Sequence, residues 1–263
     1  MPLRIMFLGQ EPRMKEGDEY PSVAEKARRL AEYASPGTTI EMHWPEDSPG
    51  AQVKIAMGRL KALNGLHHIL EAKPIIQKIV WAQDNGFDSV VMSNTFDPGV
   101  EGARMAVSIP IIGICRTCLG IASTLAERIG IVVPLAGHVK EVQRLVKAYG
   151  MQDKVIGIVP IGRYGKEFVD QKASIIEQMT GIMRRMIDES GAEMILPLGG
   201  ALVPWIIDPR ELEDAVKAPV IHTHKMAIAF AEMCAKTGIS HSPLSYETVR
   251  GLTYDDFTGY AHQ

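Results

Sequence analysis

Residues 88–104 read DSVVMSNTFDPGVEGAR. Ser89 to Met92 is a short apolar run of the kind that makes a buried strand, and it stops at a cluster of turn-forming residues. A helix-like run follows, and then IPIIGI at 109–114, a second buried strand. Strand, polar turn, short helix and strand make one unit of a parallel sheet. The polar turn Ser93-Asn94-Thr95 sits at the carboxyl end of its strand, where α/β sheets bind ligands.

The same alternation extends in both directions. Further strand candidates are RIMFLG (4–9), TTIEMHW (38–44), GIVVPL (130–135), KVIGIVPI (154–161), EMILPLGG (193–200) and APVIHTH (218–224). Helix candidates between them are VAEKARRLAEYA (23–34), LEAKPIIQKIVWAQDNG (70–86), TLAERIG (124–130), GHVKEVQRLVKAYG (137–150), KASIIEQMTGIMRRMIDESG (172–191) and PRELEDAVK (209–217). In the fourth, Val139, Val142, Leu145 and Val146 recur at helical spacing and Gly150 stops the run. Strict alternation predicts parallel sheets covered by helices on both faces. The order also echoes itself: DNGFDSVVMSNT and ESGAEMILPLGG each follow a long helix and each lead to a loop, a short helix and a strand. The expected fold is α/β, two similar Rossmann-like lobes with parallel sheets and an interlobe cleft. Residues 1–114 with a return helix and tail at 225–263 would form one lobe, and 115–224 the other.

The chain has 263 residues, 46% hydrophobic and 22% charged, with a formal net charge of −3. That composition is ordinary for a soluble globular protein, and no basic run suggests nucleic acid. RMKEGDEY (13–20) and RRMIDES (184–190) mix both signs, as a solvated surface does. Three cysteines cannot make a disulfide framework, and no apolar run approaches membrane-spanning length. MPLRIMFLG is too short an apolar run for a signal peptide. A cytoplasmic protein without membrane or nucleic-acid partners is expected. The fourteen methionines are expected to be adaptable core filler. The last stretch, from His241, breaks the alternation, and its aromatics Tyr246, Tyr254, Phe257 and Tyr260 suit docking on the body or on a second subunit of a homo-oligomer.

From about residue 3 to about residue 235 the chain resembles the aspartate/glutamate racemase superfamily, and most closely its hydantoin racemase branch. The resemblance is carried by ASPGTTIE, LEAKPIIQKI, NGFDSVVMSNTFDPGVEGAR, IPIIGI, HVKEVQRLVKAYG and ESGAEMILPLGG, with FDPGVEGAR the most specific. It implies two thiols facing each other across the cleft, one removing an α-proton and the other returning a proton to the opposite face. Aligning DPG puts the first of these positions at Asn94, and aligning PLGG puts the second at Gly200. Neither can act as a base. Other family positions change too. Cys115 and Arg116 stand where a small residue and a glutamate are usual, and His222-Thr223-His224 stands where a strand usually ends in aspartate. Val133 and Pro134 replace the usual threonines.

The candidate residues follow. Asn94 and Thr95 offer a polar grip on a substrate carboxylate or amide, or a helix cap. Asp97 suits closing the turn. Gly199 and Gly200 would let backbone N–H groups approach a ligand, or simply make a tight turn. Arg116 would bind a carboxylate bidentately, or pair with a structural acid. Cys118, in the CRTC pair with Cys115 near a helix start, could be a displaced nucleophile or base, or a small packed residue. His222 and His224, two apart on a predicted strand, would share a face and could move a proton or hold a metal. A metal site needs a third ligand, and none is evident; no metal and no cofactor are expected. His67 and His68 look like helix residues, and Cys234 like core.

The chemistry expected of such a site is acid/base work on a small anionic carboxylate or ureide without the cysteine pair: a lyase, a decarboxylase or a one-base isomerase. The alternatives are a true racemase or epimerase using other bases, Cys118 and His222 for example, and a non-catalytic small-molecule binder.

Overall fold

The structure is a computed structural model that describes residues 2–11, 21–60, 62–165, 167–247, 249 and 251–257. The stretch 13–20 and Tyr260 lie outside them. In chain order the elements are β1 (Leu3–Leu8), α1 (Val23–Tyr33), β2 (Thr38–His43), α2 (Ala51–Arg59), α3 (Leu66–Asp84), β3 (Ser89–Met92), α4 (Val100–Arg104) and β4 (Ile111–Gly113). They continue with α5 (Ile114–Leu125), β5 (Ile129–Val133), α6 (Ala136–Ala148), β6 (Val155–Pro160), α7 (Glu167–Asp170), α8 (Lys172–Asp188), β7 (Met194–Pro197), α9 (Pro209–Val216) and α10 (Thr223–Thr237).

Two parallel sheets result, with strand orders β2-β1-β3-β4 and β6-β5-β7. β3 and β7 are buried along their whole length, as parallel strands covered on both faces must be. One buried cluster joins Ile5, Phe7 and Val91 of the first sheet to Ile129, Ile131 and Leu196 of the second, so the lobes share a core. α10 returns to pack on β1, β3 and α5. No described helix is long and apolar enough to cross a membrane.

Three local departures from the sequence-based expectation bear on the site. APVIHTH makes only a single bridge, Ile195 to Val220, and then turns. His222 caps α10, its Nδ1 accepting from Lys225 N at 3.3 Å, so His222 and His224 do not share a strand face. TLAERIG is not a helix: α5 ends at Leu125, and the Glu193 carboxylate holds the turn into β5 by accepting from Glu127 N (2.7 Å) and Arg128 N (3.2 Å). Finally, α3 starts four residues earlier than its apolar pattern indicates. Asn64 Oδ1 accepts from Leu66 N at 2.9 Å, and Gly65 occupies the cap. This early start brings His67 and His68 into the first turn of a helix.

Candidate active site

The polar turn after β3 is fixed from within. Asn94 Oδ1 accepts from Phe96 N at 2.8 Å, and Asp97, at a left-handed φ of 54°, closes the turn. The buried Asp97 carboxylate accepts from Cys115 N and Arg116 N, both at 2.9 Å, and from Tyr149 OH at 3.0 Å. It therefore caps α5 and ties it to the end of α6. A Cβ on Gly113 would lie 2.7 Å from that carboxylate, so this strand must end in glycine. Burial pushes the Asp97 pKa up, against the N–H groups that favour its charge.

The matching turn after β7 is Leu198-Gly199-Gly200. Gly199 has φ 113° and a Cβ there would strike Pro134 at 2.6 Å, so both backbone and packing require glycine. Its N–H donates to Thr95 Oγ1 at 2.7 Å, which joins the two strand ends across the lobes. Neither Gly200 N nor Ala201 N donates within the protein among the described residues.

Between these turns lies a cleft of about 300 Å³. The first lobe contributes Gln10, Glu11, Lys54, His67, His68 and Ser93–Phe96, and the second contributes Pro134, His138, Tyr164, Phe168, Gly199–Ala201 and Trp205. Asn94, Thr95, Gly199 and Gly200 are thus brought together at one cleft. The other four sequence candidates are not on its lining.

Arg116 turns outward: its Nη1 reaches Tyr246 OH at 2.6 Å and Glu101 at 3.1 Å, a structural acid and the tail phenol rather than a ligand. Cys118 is completely buried, its Sγ lies 3.7 Å from Thr223 O, and burial pushes its pKa up, away from a usable thiolate. His222 packs edge-on against Tyr33 with ring centroids 4.8 Å apart and serves as a helix cap. His224 is fully buried behind Gly200, edge-on to Phe7 (5.1 Å) and Trp205 (4.7 Å), and burial pushes its pKa well down. A strand that ends at Val220 places both histidines differently from a strand that continues through 224.

A different imidazole occupies the cleft. His68 Nδ1–H donates to Glu141 Oε1 at 2.5 Å, and both side chains are buried. Its Nε2 lies 3.2 Å from Asn94 Nδ2. Because Asn94 Oδ1 is held by Phe96 N, its NH₂ faces His68 and Gln10, donating to Nε2 and to Gln10 Oε1. The network therefore assigns one tautomer: proton on Nδ1 toward the carboxylate, lone pair on Nε2 toward the cleft. Glu141 comes from α6 of the second lobe and His68 from α3 of the first, so the pair spans the lobes. A Cβ on Gly65 would lie 2.5 Å from Glu141 Oε1, and glycine there makes the approach possible. His67 and His138 also line the cleft, each pushed down to about 4 first by burial. His67 Nδ1–H donates to Asn64 O at 2.8 Å, and His138 Nδ1 accepts from Leu135 N at 3.3 Å.

Sequence reasoning set His68 aside and passed over Glu141. The available signal was LHHIL directly after Asn64-Gly65, which starts a helix with two histidines in its first turn. The partnership with Glu141 depends on two helices of different lobes meeting, which no local pattern encodes.

A cleft between the strand ends of two parallel sheets, holding a locked imidazole and backbone donors, defines a two-lobed α/β small-molecule fold. Residues 20–231 match the Asp/Glu/hydantoin racemase family, and the chain belongs to it. It is 31% identical over 172 residues to a hydantoin racemase of Pseudomonas sp. (strain NS671), covering 65% of this chain and 67% of that one. It is 26% identical over 184 residues to a hydantoin racemase of Rhizobium meliloti, covering 69% and 74%. Among solved structures, allantoin racemase from Klebsiella pneumoniae superimposes with a TM-score of 0.78 at 19% identity over 95% of each chain. Unliganded arylmalonate decarboxylase superimposes with a TM-score of 0.54 at 16% identity, covering 89% and 92%. These two show the fold alone.

Proposed function

We propose that this chain is a racemase-superfamily enzyme that moves a single proton α to the carboxylate or carbonyl of a small carboxylate or ureide, with His68 as acid/base and no thiol. The observation that carries this is the Glu141–His68 pair, whose unprotonated Nε2 faces Asn94 in the cleft. The resemblance places the first family thiol at Asn94, so an imidazole now serves the space where that thiol would act. No cysteine lines the cleft among the described residues.

In proton exchange, Nε2 takes the α-proton, the electron pair of the C–H bond passes into an enolate, and the imidazolium is held by Glu141. The backbone N–H groups of Gly200 and Ala201, which line the same cleft, would take the enolate oxygen. The same proton, or one exchanged with solvent, then returns to carbon. In decarboxylation the C–C bond breaks instead, CO₂ leaves, and His68, having taken a proton from solvent at Nε2, delivers it to the enolate carbon. Position 200 carries no side chain, so the second family position supplies no base. One-sided chemistry favours exchange with retention, or decarboxylation to one enantiomer, over inversion.

The test is proton NMR in D₂O with single enantiomers of 5-substituted hydantoins and with prochiral malonates, followed by chiral chromatography. Deuterium uptake with retention, or one enantiomer of a monoacid, is expected. Rapid inversion would instead support two-base racemisation, which the presence of His138 as a second cleft imidazole favours. Cys118→Ala and His222→Asn should keep turnover within about twofold. A loss of more than about tenfold in either would return that residue to the reaction.

A further inference from the structure

The polar groups of the cleft fall into two neighbouring sets. Asn94 and His68 stand at the end of β3. Glu11 follows the end of β1, and Lys54 on α2 reaches it, Nζ to Oε1 at 2.7 Å. β1 and β3 are adjacent strands, so the two sets sit side by side in the one cleft. Gln10 bridges them, receiving a hydrogen bond from Asn94 while its chain neighbour Glu11 holds Lys54.

We propose that Lys54 is the specificity charge of the cleft, taking a second carboxylate carried on a short arm of the substrate in exchange for Glu11. This rests on the reading of the cleft given above and narrows its substrate class to ureides or carboxylates with an acetate-length anionic arm. Several features support it. Both partners line the cleft and each side chain is about one-third exposed, at 31% and 32%, so an entering ligand can reach them. A pair this exposed gains little from its own contact, so one carboxylate can replace another at small cost. Tyr164, from the second lobe, lines the same cleft. Burial works against the charge of Lys54, and the nearby carboxylates of Glu11 and Glu71 favour it.

The experiment uses two ligands that differ by one charge, hydantoin-5-acetate and hydantoin-5-acetamide. Binding is followed through the fluorescence of Trp44 and Trp205, which both line the cleft. The wild type should bind the carboxylate at least about tenfold more tightly, a difference of the size one charge pair makes in a partly dry site. Lys54→Met should erase that preference and Lys54→Arg should keep most of it. Glu11→Gln should widen it, because the competing carboxylate is gone, whereas a merely structural ion pair would respond to both changes in the same direction. Loss of carboxylate affinity in Glu11→Gln would overturn the proposal by showing that Glu11 holds Lys54 in place rather than competing for it. Equal binding of the two ligands by the wild type would overturn it while leaving the cleft reading intact, and binding of neither would overturn both.

Discussion

His68→Asn should lower turnover by about three orders of magnitude, within the ~10²–10⁴ range of a positioned general acid/base. Asparagine can still donate to the Glu141 carboxylate, so the buried acid keeps a partner and the fold should survive. What disappears is the only imidazole lone pair held toward Asn94 among the described residues. Glu141→Gln should come close to the same loss for a different reason. A carboxylate only accepts, so it fixes the proton on His68 Nδ1; the amide NH₂ of glutamine donates to Nδ1 and moves that proton to Nε2. The imidazole then faces the cleft in the tautomer that cannot take a proton. Glu141→Asp keeps the acceptor but shortens the reach, and should restore part of the rate. Steady-state rates and thermal melts of the three variants decide the matter. Full activity in His68→Asn, with unchanged melting, would remove His68 from the chemistry.

The fold was legible because its signals are local. Each apolar run between turn residues had to be a strand, and the long amphipathic runs had to cover sheets. The turns were legible for the same reason: Asn94 and Thr95 follow β3 directly, and Gly199 and Gly200 follow β7. What failed was inference across junctions. Val220 and Ile221 look like a strand, and His222 to His224 look like its continuation. Yet Thr223–Thr237 is a strong helix that needs a cap, and His222 supplies it. Arg116 opens α5 near the cleft in sequence, but Asp97 binds its backbone N–H and its side chain swings to Glu101 and Tyr246 of the tail. Cys118 lies on the inner face of α5 and is completely buried. His68 faces the cleft because Asn64 and Gly65 start α3 early, and it acquires a role because Glu141 arrives from the other lobe.

That arrangement stores histidines in their neutral form, so acid should unfold this protein earlier than its carboxylates alone would. Burial is the first cause pushing His67, His138 and His222 down to about 4, and His224 is pushed further. In the unfolded chain each would titrate near 6.5. Between those values the unfolded chain binds protons that the folded chain refuses, so stability is fully present above pH 6.5 and falls as the pH drops toward 4. A shift of that size contributes about 3 kcal/mol per fully buried group, and His222, which is partly exposed, contributes less. Asp97 and Glu71, whose pKa values burial raises, act in the opposite sense, because the folded chain takes up their protons first. They titrate in the carboxylate range raised by burial and offset only part of the loss. The losses from His67 and His138 add, and His224 acts in the same direction. Urea melts between pH 7 and pH 4.5 should therefore show stability declining with a slope of about two to four protons per molecule. His138→Gln, which keeps the ring's volume in part and removes its titration, should reduce that slope by about one proton even if it lowers stability at neutral pH. A stability that stays level from pH 7 to pH 4.5 would mean that these imidazoles open to water before they charge, and that the packing around Phe96, Phe7 and Trp205 is looser than it stands here.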